Sequence, residues 1–292
     1  MSQITPVFAG DAVKARVFRP SSLWLLLPAL GFLAAFFAYP LAAIVMRSFE
    51  GPDAGLTLDH YRTFFTLPIY VRILWQTIEI SLMTTVLCVL IGYPLAYVMA
   101  NSSSTVRNVM LLMVMLPFMT SVLVRTYGWM VILRPTGLLN HIAELIGLPA
   151  FDLLYNRAGM LIGLVYTMVP YVVLTLFSVM RGIDGRLVSV AHSLGAGAWS
   201  AFWRVYFPLS LPGVAGASLL VFILSSGFYI TPRLMGGDRD QLLASIIAYQ
   251  VDVLLNFEFA ATIAVILLVI TLICFGIYAR VVGLKQLLTS RA

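Results

Sequence analysis

Six apolar runs, at 24–46, 73–99, 109–133, 158–180, 212–230 and 259–279, make up most of this chain. Each is near or above the roughly 20 residues a bilayer-spanning helix needs. They do not alternate and are too long for barrel strands, so the pattern predicts helices, whose backbone satisfies its own hydrogen bonds in lipid. Pro94, Pro117 and Pro170 fall inside the second, third and fourth runs. Each removes a backbone hydrogen bond and allows a kink, which is either a hinge or a static bend. The segment between the fourth and fifth runs, SVAHSLGAGAWSAFWRVYFPLSLPG at 189–213, is different. Leu187, Val190, Ala191 and Leu194 recur at helical spacing, and so do Trp199, Phe202, Trp203 and Tyr206. Two short amphipathic helices are predicted, the first stopping at Gly195 and the second at Pro208. A two-sided elbow between membrane spans has something to dock against.

Composition agrees with this picture. The 292 residues are 61% hydrophobic and 10% charged, with a mean hydropathy of +0.99, against roughly 25% charge in soluble domains. Lys14, Arg16 and Arg19 precede the first run as they would in a signal peptide. That run is longer than the usual signal core, so it reads as a retained helix. Six spans place both termini on one side. The basic N-terminal flank and Arg107 in the short second connection put that side, and the elbow, in the cytosol. The net charge of +6 is scattered along helix ends, where it anchors lipid headgroups, and implies no nucleic-acid partner. The expected organisation is a cytosolic tail at 1–23 and a transmembrane domain at 24–292, with its core at about 73–283 and the cytosolic segment at 184–210.

Between the runs, LDHYRTFF is expected to lie along the membrane interface, and LLNHIAELIG reads as a short amphipathic piece. The connection after the fifth run holds Gly236, Gly237 and several acids. Chemistry of its own is missing from the sequence. There is no phosphate loop, and the two lysines are Lys14 and Lys285. There is no Cys-x-x-Cys, and His60, His141 and His192 lie far apart, so no metal site or catalytic residue is expected. Cys88 and Cys274 sit inside apolar runs as inert thiols. A membrane chain of this kind passes something through, driven by a partner or by an ion gradient.

At the elbow the spacing resembles the cytosolic signature of bacterial binding-protein-dependent ABC importers: Glu-Ala-Ala, three residues, Gly, nine residues, then Ile-x-Leu-Pro. Ala191 matches the second alanine and Gly195 the glycine, and Val205, Tyr206, Phe207 and Pro208 follow nine residues later. Ser189 stands where the family has glutamate, and Val190 where it has alanine. The resemblance implies an all-α permease of the type I (MetI-like) fold with six transmembrane helices, in the bacterial inner membrane. It also implies that Ser189, Val190, Ala191, His192, Ser193, Leu194, Gly195, Ala196, Val205 and Pro208 couple the chain to an ATPase. The partners it implies are a second, homologous permease, two ATP-binding subunits that hold ATP and magnesium, and a periplasmic solute-binding protein. No cofactor is expected in this chain. The stretches at 116–140 and 222–237 resemble the first permease subunit of polyamine-type importers, such as those for spermidine and putrescine. Many of those carry an aspartate where Phe228 stands here, just before Tyr229.

Candidate path residues follow from burial cost and ring chemistry. Glu79 is the one acid inside a predicted span, and an ionised group at that depth is a candidate for attracting a cation. Alternatively it turns outward at a helix end or pairs with Arg72 or Arg125. Tyr127, Trp129, Tyr166, Tyr171, Phe228 and Tyr229 fall near the outer halves of their spans. Their rings suit an amine through cation–π attraction, or form an interfacial aromatic belt. The expected function is half of an import pathway for a small cationic solute. The alternatives are a gradient-driven carrier and an ABC permease for a non-polyamine solute.

Overall fold

The computed structural model describes residues 27–51 and 55–289, with side chains through residue 280. The tail at 1–23 with Lys14, Arg16 and Arg19, the first residues of the first predicted span, Pro52 and Arg291 lie outside the described residues, as does the side chain of Lys285. Helix α1, Leu27–Arg47, contains a π turn at Ala34–Ala38 and has no buried residue. It is apolar on every side, as a helix in lipid must be. The chain divides into two compact units after Met46; the rest of this account concerns the second.

That unit contains α2 (Asp59–Thr66), α3 (Pro68–Asn101), α4 (Ser104–Met115), α5 (Val122–Leu133), α6 (Leu138–Leu145) and α7 (Arg157–Arg181). There follow α8 (Gly185–Ser193), α9 (Ala198–Ser226), α10 (Ile230–Met235), α11 (Leu243–Asp252) and α12 (Phe257–Thr289). At 1.5 Å per residue the 34 residues of α3 make a rod of about 50 Å. Helix α7 packs parallel to it and α9 antiparallel. Cys88 meets Val165 and Gly92 meets Val172, while Ser81 bonds Ser226 at 3.0 Å and Tyr93 bonds Ser210 at 2.9 Å. The backbones approach closely: a Cβ on Gly92 would lie 2.8 Å from Val172, and one on Gly213 2.9 Å from Val179. Small residues and paired hydroxyls hold helices together in lipid, where the hydrophobic effect does not. Met99, Met168, Val172, Leu176, Ala217 and Val221 fill the centre.

At the α2 end of α3, a second cluster buries Phe64, Ile73, Leu243, Ile246, Phe259 and Ile263. This is the cap. LDHYRTFF falls on α2, whose Phe64 is fully buried in this cluster. The Thr77 hydroxyl accepts the Leu243 amide at 3.0 Å, Gln76 donates to the Arg239 carbonyl at 2.7 Å, and Thr262 donates to the Ser48 carbonyl at 3.2 Å. Helices α10 and α11 lie in a connection where the sequence pattern predicted only a loop.

Two predicted boundaries are corrected. The run at 109–133 is not one helix: the axis bends by 100° between Met119 and Val122. Pro117 has no amide to donate, the chain tightens into a 3-10 turn at Leu116–Met119, and Thr120 turns extended. Read as one span, the bent pair brings the total among the described residues to six. Pro208, in turn, stops nothing. Helix α9 runs through Pro208 and Pro212 to Ser226. A π turn at Phe202–Tyr206, with the Phe207 amide bonded to the Phe202 carbonyl, widens the backbone just before the proline ring. That relieves the clash a regular turn would impose.

Candidate functional site

The elbow is built from local bonds. Asp184 caps α8 by accepting the Arg186 amide at 2.9 Å. At the other end Gly195 adopts φ +86, a left-handed value that glycine adopts without strain. The Ala196 amide reaches the Ala191 carbonyl and the Gly195 amide the His192 carbonyl, both at 3.0 Å. This is the Schellman closure that ends a helix. The His192 ring bonds the Ala196 carbonyl at 2.9 Å and ties the turn again. Gly195 thus ends the first helix where the sequence predicts.

The two faces of this elbow differ. Ile183, Val188, Phe202 and Tyr206 pack on the core, with Phe202 edge-on to Tyr97 at 5.5 Å. Leu187, Val190 and Leu194 face outward, with Val190 56% and Leu194 83% exposed, and Trp199 is 76% exposed beside Trp203. The predicted apolar stripe exists, but none of the described residues covers it. Contiguous exposed apolar surface of this kind marks an interaction site. Ser189 is exposed too, its hydroxyl turned back to the Gly185 carbonyl at 3.3 Å, and Ser193 bonds the Ser189 carbonyl. Ala191 and Ala196 are half-buried and Val205 sits inside the π turn. A cavity of about 410 Å³ lies behind α8, against Tyr97, Asn101, Arg181, His192, Phe202 and Tyr206.

Two helix breaks interrupt the third and fifth predicted spans. One lies between the 3-10 turn at Leu116–Met119 and α5; the other, at Gly227–Tyr229, separates α9 from α10. The stretches at 116–140 and 222–237 each contain one break, and the structure packs them together. Thr126 and Thr231, both buried, share a hydrogen bond at 3.1 Å. Their neighbours Tyr127 and Tyr229 are exposed. Trp129 meets Tyr166 edge-on at 5.4 Å, in an apolar cleft of about 670 Å³ that also touches Pro117 and Pro170. Tyr171 meets Phe118 edge-on at 5.0 Å, and Phe228 packs into the core. Four of the six predicted path aromatics therefore have packing partners, and two are free.

Glu79 pairs with Arg157 at 2.6 Å, not with Arg72 or Arg125, and its side chain is 58% exposed. Arg157 is the first residue of α7 and also touches the Met83 sulfur at 3.2 Å. Glu79 therefore lies level with the start of α7, at the rim of the bundle, because the first turns of α3 project past that rim into the cap. Residue counting along one run hides this overhang. Among the described residues, no three His, Cys, Asp or Glu side chains come together as metal ligands would.

The family model for inner membrane components of binding-protein-dependent transport systems matches residues 92–283, which include the elbow and both breaks. The spermidine/putrescine transport system permease protein PotB of Haemophilus influenzae is 32% identical over 227 residues, covering 77% of this chain and 79% of that protein. PotB of Escherichia coli is 29% identical over 258 residues, covering 86% and 94%. Among solved structures, a bacterial alginate ABC transporter in complex with an alginate-pentasaccharide-bound periplasmic protein contains a chain of similar fold. Its TM-score is 0.72 at 17% identity, over 89% of this chain and 93% of that one.

Proposed function

Because this chain belongs to the family of binding-protein-dependent transport system inner membrane components, we propose that it forms half of an ATP-driven import pathway for a small cationic, polyamine-like solute. As a permease it is a non-catalytic subunit. ATP and magnesium bind to two partner ATPases, and no cofactor belongs to this chain. The other partners are a second, homologous permease and a periplasmic solute-binding protein, and the site of action is the bacterial inner membrane. The uncovered stripe of Leu187, Val190 and Leu194 on α8 carries the reading. It lies on the cytosolic side, with Ser189, Ala191, His192, Ser193, Gly195 and Ala196 around it, and seats in a cleft of the ATPase. Val205 and Pro208 continue the contact into α9, so ATPase closure is delivered directly to a long core helix. ATP shifts the gate only by its different affinity for the two states.

The path runs past the two helix breaks, where non-helical backbone at membrane depth lines a cavity rather than lipid. Tyr127 and Tyr229 present free rings to an amine there, and Glu79 marks the rim. Trp129, Tyr166, Tyr171 and Phe228 hold the path's walls. Similarity to the two PotB permeases supports the polyamine class. The decisive test is reconstitution with the partner subunits in proteoliposomes. Spermidine delivered by the binding protein is expected to stimulate ATP hydrolysis and enter the lumen. Stimulation by another solute alone would retain the importer and discard the polyamine; uptake driven by an ion gradient without ATP would discard both.

A further inference from the structure

A cleft of about 560 Å³ opens at the cap, between the start of α3, the connection at 236–242 and α11. Gln250 lies at its wall, 5% exposed, and its side-chain carbonyl has no hydrogen-bond partner. That oxygen is enclosed by the protein, so Gln250 belongs to the wall of the cleft and is not a contact point. The rings of Tyr70 and Tyr249 line the cleft, and Tyr70 is held by Phe64 and Phe259. The Gln76 side chain pins the Arg239 backbone at 2.7 Å, which fixes one edge. Arg72, Arg239 and Asp238 supply the charge. Among the described residues none of these three is in an ion pair. The cleft thus offers two unspent guanidinium groups against one carboxylate.

We propose that this cleft is a docking socket for an acidic loop of the solute-binding protein, with a loop carboxylate bridging Arg72 and Arg239. This rests on the importer reading, which places the cap outside the membrane, opposite the elbow. The charge balance decides against the cargo as occupant. A cationic solute would meet two like charges with one acid to offset them, whereas an acidic loop meets two planar donors that grip a carboxylate in bidentate fashion.

The experiment titrates the binding protein onto the reconstituted complex and reads the concentration giving half-maximal stimulation of ATP hydrolysis. R72E/R239E is expected to raise that concentration at least about tenfold at low ionic strength and to remove its dependence on salt. R72Q/R239Q is expected to raise it by a smaller factor, and it serves if the double reversal fails to assemble with the ATPase subunits. A half-saturating concentration unmoved in every variant that assembles overturns the socket. So does weakened binding of free spermidine to the complex without binding protein, which would make the cleft a cargo site. A wild-type complex that no binding protein stimulates would instead overturn the importer reading itself.

Discussion

The two ends of α3, about 50 Å apart, are finished in opposite ways. At the cap, the chain covers its own apolar surface. Phe64, Leu242 and Leu243 are fully buried, and side chains reach backbone groups more than 160 residues away in sequence, from Gln76 to Arg239 and from Thr77 to Leu243. At the elbow, α8 is held by bonds no longer than five residues, from Asp184 to Arg186 and from Ala191 to Ala196. Its apolar stripe is left open. An apolar stripe left open on a helix whose other face is packed marks an interaction site, which under the proposed function receives the ATPase. The elbow is therefore stiff in itself but loosely tied, which suits a lever, and the cap is tied widely, which suits a fixed outer frame.

This contrast can be broken most severely at the elbow. V190E/L194E places two charges on the open stripe. ATPase subunits are expected to be lost from the purified complex, with solute-stimulated hydrolysis falling tenfold for each ~1.4 kcal/mol of contact removed. The permease's own melting temperature should barely move, since surface changes away from packed features stay within about 0.5 kcal/mol. A large drop in melting temperature would show that the stripe is structural. In the cap, Leu243→Ala should do the reverse, costing about 2–5 kcal/mol of stability in a thermal or denaturant assay while ATPase subunits stay bound. Thr77→Val strips the Leu243 amide of its acceptor and should cost about 1–3 kcal/mol, with faster amide exchange confined to α11. Gly195→Ala meets no atom within 4 Å but must hold φ +86, so about 1–2 kcal/mol of backbone strain should speed exchange in α8 alone. Glu79→Gln removes an exposed pair worth about 0–1 kcal/mol. Stability should hold, with uptake reduced no more than about twofold; abolished uptake would return Glu79 to the centre of the path.

Helix capping and apolar periodicity made the elbow legible. Asp184, Gly195 and the Leu187–Val190–Leu194 spacing act within one or two turns, so the chain states them locally. The break in the third span was foreshadowed by Pro117, and the break after α9 lies three residues before Thr231–Pro232. Pro208 misled because a π turn absorbs it, and nothing in residue type announces such a turn. Arg157 as the partner of Glu79, and the packing of Thr126 on Thr231, join segments some 80 to 105 residues apart. No local pattern encodes which of several arginines or threonines will meet.

The sequence by itself determined that this is a helical membrane chain with an elbow on one face, because lipid demands long apolar helices and each helix end is a matter of neighbouring residues. Only the tertiary structure decided which side chains remain uncovered. It opened the stripe on α8, moved Glu79 to the rim, and brought Arg72 and Arg239 to one cleft. Burial and pairing are properties of how helices overlap in space, and that overlap is set by contacts between residues distant along the chain.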